Sequence, residues 1–222
     1  MDRKKISITE IYPGAQENRE YEFKPSFTWR HPTPQSLELI KTMVSMFNSP
    51  NGGTIIYGIK QNRNDSRIEY TGLSQENIES FEINEEKIKR IINSYTSLYI
   101  APNFALILDK ELDKAFMTIS IQGFHEYATV IKKDGYFEDR NGVKIDSFKI
   151  GDILTRSMHP PYSSKKVSQE ELNEMIELCA KGVEKKARYI LNLEDTEQVK
   201  NSIEEDLIKV KLKEERKDEY GI

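Results

Sequence analysis

Asn48-Ser49-Pro50-Asn51-Gly52-Gly53-Thr54-Ile55-Ile56-Tyr57-Gly58-Ile59 is the stretch whose reading decides the fold. Its second half is apolar and rich in β-branched residues, the composition of a central strand buried on both faces. Its first half ends a helix, because proline and paired glycines do not continue one. Gly52-Gly53 permit a tight turn and a close approach of backbone to a partner. A phosphate-cradling loop runs strand, loop, helix, whereas the order here is helix, loop, strand, so the stretch is not a Walker-type nucleotide site. Two readings stay open: Asn48, Gly52 and Gly53 meet a nucleic acid, or they only stop a helix and launch a buried strand.

Toward the N-terminus, Leu37, Ile40, Val44 and Phe47 recur at helical spacing, and Leu39, Met43 and Met46 widen that stripe into a buried helix. Thr33 is its expected N-cap and Pro34 its first helical residue. Residues 25–35 carry three prolines and read as loop. Within them Trp29 is either a stacking residue or a local anchor. Glu20-Tyr21-Glu22-Phe23-Lys24 alternates polar and apolar, which suits a half-buried strand. Residues 1–14 read as a polar arm closed by the turn Tyr12-Pro13-Gly14.

Toward the C-terminus, residues 60–67 read as a polar loop and Gly72-Leu73-Ser74 as a turn. A helix follows over 84–98, with Ile88, Ile91 and Ile92 facing inward. Strands are expected at 104–108 and 116–121, a short one at 129–131, then a charged turn region over 132–140 and a strand at 152–157. Ser168 opens a helix through a capping box with Glu171. Leu172, Met175, Ile176, Cys179, Val183 and Ala187 make its apolar face, and a second, densely charged helix is expected over about 195–217. The fold class is therefore α+β, a mixed sheet with packed helices, followed by a helical C-terminal extension. Residues 1–164 form the domain and 165–222 the extension.

The chain has 222 residues, a net charge of −4 and one cysteine. That length supports a real core. Cys179 alone excludes an internal disulfide framework and a multi-Cys zinc site. No apolar run is long enough to cross a membrane, and the first ten residues lack the apolar core of a secretory signal, so a cytoplasmic protein is expected. Charge is unevenly spread. Residues 1–64 hold nine Lys/Arg and six Asp/Glu, a net of +3, while residues 65–164 carry −4 and residues 165–222 carry −3. The local field, more than the sum, governs polyanion binding, so the total does not exclude nucleic acid.

Two further constellations carry chemistry. Glu22-Phe23-Lys24 places a carboxylate and an ammonium on one strand face, where the acid can hold a metal and the lysine can steady a phosphate. Glu17 joins Glu22 only if the chain bends near residues 18–19. All-oxygen ligands of this kind suit Mg²⁺ or Mn²⁺. The alternative is an edge strand with a solvated charged face. The segment Thr155 to Lys166 gathers Arg156, His159, Lys165 and Lys166 with Tyr162, apt for phosphates and a stacked base, or else it is a Pro-rich linker. His31, His125 and His159 show no metal-ligand spacing, and Cys179 reads as a small core residue.

In order, Glu17-x4-Glu22-Phe23-Lys24, an apolar helix ending Phe47-Asn48, Gly52-Gly53, Ile55-Ile56-Tyr57-Gly58-Ile59, a polar loop and Gly72-Leu73 resemble the Schlafen/AlbA-type nucleic-acid-binding domain. That family shows a Glu-Phe-Lys strand, a helix ending Phe-Ala-Asn, then Gly-Gly and an apolar strand ending Gly-Val. The outline covers about residues 12–180, and the specific motifs lie within 17–73. The resemblance implies a domain that binds RNA, tRNA-like RNA in particular, or DNA, with RNA preferred. It also implies a Mg²⁺- or Mn²⁺-dependent endoribonuclease centre, with Glu17 and Glu22 as metal ligands, Lys24 as the catalytic lysine and Asp65 in the place of a third acid. The family's third acid usually follows the strand directly, where this chain has Lys60-Gln61-Asn62, so either Asp65 substitutes from the loop or the centre is incomplete and the domain only binds. The family's closing segment falls on Asp152–Ser157, which implies nucleic-acid contacts from Arg156, Lys165 and Lys166. No zinc cluster, helicase or helix-turn-helix module accompanies it, so a short stand-alone form with a defence role is expected by analogy. The competing expectation is a non-catalytic interaction protein whose C-terminal helices drive a homodimer.

Overall fold

A computed structural model describes residues 2–4, 7–8, 17–61, 67–124 and 126–190. Met1–Leu178 form one compact unit and Cys179–Ile222 a second. The first is built on a five-stranded mixed sheet. The strands that compose it are β1 (Asp2–Lys4), β2 (Tyr21–Lys24), β3 (Gly53–Tyr57), β6 (Asn103–Asp109) and β7 (Lys114–Ile121). Their spatial order is β1-β6-β7-β3-β2. The outer pairs β1–β6 and β2–β3 run parallel, whereas β6–β7 and β3–β7 run antiparallel. The α+β class expected from the sequence is the class observed.

Side-chain alternation along β3 explains its continuous apolar run. Ile55 and Tyr57 enter the main core with helix α1 (Pro34–Phe47) and helix α2 (Gln75–Tyr95), while Ile56 enters a second cluster with Phe23, Ile59, Ile107 and Phe116. A strand buried on both faces has no polar positions to alternate. Helix α1 begins as its sequence dictates: the Thr33 side chain accepts from the Ser36 N–H, Ser36 bonds back to Thr33, and Pro34 opens the first turn. Trp29 is buried in the main core, which makes it an anchor.

Several expectations are corrected. Asp2–Lys4, expected in a polar arm, form β1, and the carboxylate of Asp109 accepts from the Ile8 N–H at 2.7 Å. The apolar run 54–59 does not stay one strand. Gly58, at φ 95°, breaks it, and Ile59–Gln61 turns away as β4 to pair with β5 (Ile68–Tyr70), so Lys60 and Gln61, expected in a loop, lie in a strand. Helix α2 starts at Gln75, nine residues before the expected Asn84, under a capping box of Ser74 with Asn77. The charged region 132–140 contains β8 (Gly135–Glu138), paired with β9 (Lys144–Phe148). Residues 129–131 make only one bridge, Thr96 to Ile131.

The strand expected at 152–157 is β10 (Leu154–Arg156), which pairs with β11 (Ser164–Lys166). Helix α3 (Gln169–Ile190) opens at Ser168, whose N–H and hydroxyl both donate to Glu171. Of its expected apolar stripe only Met175 is buried, and Ile176 and Val183 are exposed. The second helix expected over 195–217 lies outside the described residues.

Candidate functional site

The acidic strand is organised by one asparagine. The Asn18 side-chain oxygen accepts from the N–H groups of Glu20 at 2.7 Å and Tyr21 at 2.8 Å. That turn supplies the bend the sequence required near residues 18–19. Glu17 is thereby brought back beside β2, where its carboxylate accepts from the Phe23 N–H at 3.0 Å. β2 is the terminal strand of its sheet, so an outward N–H has no ladder partner and a carboxylate satisfies it.

Glu22 and Lys24 share a strand face, and the Lys24 ammonium lies 2.5 Å from Glu22 Oε1. The other Glu22 oxygen is taken by Arg156, which is fully buried. The remaining guanidinium nitrogens of Arg156 donate to the carbonyls of Asn18 at 3.0 Å and Arg19 at 3.4 Å. Arg19 in turn forms a two-pronged pair with Glu174 of α3, at 2.9 and 2.5 Å. Burial pushes the Glu17 carboxyl above its ordinary value, and the nearby Glu22 charge pushes it further. The result is a compact group of two carboxylates, Glu17 and Glu22, and two cations, Lys24 and Arg156.

Other candidates are placed differently. Asn48 is fully buried. It donates to the carbonyls of Thr129 at 2.8 Å and Leu154 at 2.9 Å, and accepts from the Thr129 N–H at 2.8 Å. It thus ties the end of α1 to β10, two residues before Arg156. Gly52 and Gly53 are required by crowding. A Cβ on Gly52, at φ 69°, would sit 2.1 Å from the Ile121 carbonyl oxygen, and one on Gly53 would sit 2.8 Å from the Glu20 carbonyl oxygen. Lys165 pairs with Glu171 at 3.0 Å and Lys166 with Asp152 at 2.8 Å, and both lysines remain partly solvent-exposed. Asp65 and His125 lie outside the described residues.

A groove that local sequence reading did not assemble opens beside Lys24. It measures about 590 Å³, and its lining includes Phe27, Glu38, Lys41, Tyr57, Phe137 and Asp146. These come from a proline-rich loop, the polar side of α1, the end of β3 and the β8–β9 hairpin. No short-range pattern links such segments. The only signal was the run of aromatics near Pro25.

With the fold and this geometry in hand, the Schlafen AlbA_2 family pattern matches residues 17–147, more than half of the chain. The chain belongs to the Schlafen AlbA_2 family. The family is generally associated with nucleic acid. Among solved structures, the DIP2311 protein from Corynebacterium diphtheriae is similar at 17% identity and a TM-score of 0.39, over 71% of this chain and 23% of that one. The chain thus spans less than a quarter of that protein's length. No curated protein matches it.

In this Schlafen AlbA_2 domain the matched region supplies Glu17, Glu22 and Lys24, while Arg156 comes from beyond its end. A divalent cation needs several oxygens without competing partners. Both Glu22 oxygens are already paired to cations, and among the described residues no three ligating side chains converge. Asp65, the expected third ligand, lies outside the described residues, and no chemical step is assigned to a metal.

Proposed function

We propose that this Schlafen AlbA_2 domain binds nucleic acid, RNA in preference to DNA, along the rim that carries Lys24 and Lys41. The observation that carries this reading is the family match, which takes in the whole of β2, α1, β3, β6 and β7 and the Lys24 side of the acidic cluster. The preference for RNA rests on the resemblance to Schlafen relatives that act on structured RNA. In this reading Arg156 does not touch phosphate. It holds Glu22 and the 18–19 turn, and Glu22 fixes the ammonium of Lys24 at the rim of the groove. Asn48, Gly52 and Gly53 position that assembly, and Lys165 and Lys166 are secondary contacts.

Fluorescence anisotropy with labelled tRNA, single-stranded RNA and duplex DNA tests the proposal. Binding is expected to weaken as salt rises, because released counterions supply much of the affinity, and to weaken further in Lys24→Ala and Lys41→Ala. Absence of salt-sensitive binding to every probe overturns it. A Mn²⁺ arm of the same experiment addresses cleavage: Mn²⁺-dependent RNA cleavage that is lost in Glu22→Gln while the urea midpoint shows the variant still folded would establish an endoribonuclease.

A further inference from the structure

The groove beside Lys24 opens next to the acidic cluster, and the binding proposal does not by itself say what enters it. Its volume of about 590 Å³ falls in the range of ordinary small-ligand sites, of about 300–1,000 Å³. One wall is aromatic. Phe27 is half-buried and packs against Tyr57 at 5.4 Å and Phe81 at 5.3 Å between ring centres, which fixes its plane. Phe137 of the β8–β9 hairpin, also half-buried, adds a second ring to the lining. A half-buried ring on the lining of a groove offers a stacking platform for an unpaired base, because every base has a π-face.

The polar groups sort by charge. Lys24 and Lys41 supply ammonium groups to the lining, and Lys41 has no ion-pair partner among the described residues. Of the two carboxylates, Asp146 is engaged by Lys149 at 3.3 Å and Lys144 at 3.9 Å. Glu38 has neither a hydrogen bond nor an ion pair among the described residues. It lies one helical turn before Lys41 on α1, so both project from the same side of the helix. Tyr57 is buried between the groove and Glu22. Burial, with the charges of Glu22 and Glu38, pushes its hydroxyl well above the ordinary tyrosine value, so it stays a neutral donor.

The geometry points to a nucleotide subsite, in which one unpaired base stacks on Phe27 with its edge on Glu38 and its phosphate on Lys24 and Lys41. A carboxylate accepts hydrogen bonds and cannot donate them, so the edge it favours must carry donors. Guanine offers two parallel donors, N1–H and the N2 amino group, which match the two carboxylate oxygens. Adenine and cytosine each offer one amino group. Uracil offers a single N–H flanked by two carbonyl oxygens that a carboxylate repels. The subsite therefore ranks guanine first and uracil last. This rests on the nucleic-acid reading for the source of the base, while a free nucleoside monophosphate presents the same chemistry.

Titration of the full chain with GMP, AMP, CMP and UMP separates these sources from the binding of a polymer. Trp29 is the single tryptophan and lies 6.4 Å from Phe27, so a base stacked on Phe27 changes its emission. GMP is expected to bind at least about 10-fold more tightly than UMP, within the discrimination a two-pronged base contact provides. Glu38→Gln, at a half-buried position on α1, should bring that ratio to about 2-fold or less, since an amide presents one acceptor in place of two. Phe27→Leu, which keeps apolar volume in the core, should weaken all four nucleotides by roughly 5-fold or more. A ratio near unity in the wild type, or an unchanged ratio in Glu38→Gln, overturns the subsite. RNA binding that shows no base preference leaves the binding proposal standing without the subsite. GMP binding with no RNA binding does the reverse.

Discussion

Arg156 has no solvent exposure, and an isolated buried guanidinium would cost several kcal/mol. Its contacts to Glu22 and to the carbonyls of Asn18 and Arg19 compensate that cost. Removing one member of such a group strands the others. Arg156→Met is therefore expected to destabilise the fold by about 3–5 kcal/mol, read as a lower urea midpoint, with the double variant Glu22→Gln/Arg156→Met recovering part of the loss. Glu17 carries a pH signature. Its folded-state carboxyl lies above the ordinary 4.5, so the native protein holds that proton more tightly than the unfolded chain does. Stability then falls as pH rises from 4.5 through the raised folded value, and levels off above it. Glu17→Gln cannot lose a proton, so its stability relative to wild type should improve across that window. Urea midpoints at pH 4 and pH 7 check this, and a difference that is constant between them contradicts it.

At the scale of elements, legibility followed the range of the forces involved. Helix α1 was readable end to end because its cap, its proline and its apolar stripe all lie within its own turns. β3 was readable because burial on both faces leaves an unbroken apolar run. The break at Gly58 was written in the sequence as a glycine, but only the folded backbone shows the φ of 95° that turns β4 out of line. The first nine residues of α2 were missed because most are polar. Their apolar contribution to the core is Ile78 and Phe81, and the true signal was the pair Ser74 and Asn77. The β8–β9 hairpin was missed for a related reason, since its exposed face carries the charges and only Gly135 and Phe148 pack tightly. Within the candidate site, Glu17, Glu22 and Lys24 were legible because they sit on a single strand and its lead-in. The pairing of Glu22 with Arg156, 134 residues away, was not, because no local pattern encodes the buried partner of a charge.

At the scale of the molecule, the net charge of −4 does not steer a polyanion, and the cations around the acidic cluster and the β10–β11 hairpin are engaged. Lys24 holds Glu22, Lys165 holds Glu171, Lys166 holds Asp152 and Arg19 holds Glu174. A protein that binds nucleic acid with such a surface must do so through a short local contact instead of a wide basic face. If Lys24, Lys41 and one further lysine meet phosphates, about three counterions are released, and a single-stranded ligand gives a slope of log K against log salt of roughly −2. Lys41→Ala should reduce that slope by somewhat under one unit, whereas Arg156→Met should lower stability with little change in slope, because a buried guanidinium releases no counterion. Affinity measured for a labelled single-stranded RNA across a salt series in wild type and Lys41→Ala decides the matter. A slope much steeper than −2 would require more phosphate contacts than Lys24, Lys41 and one further lysine supply, and would move the binding face away from Lys24.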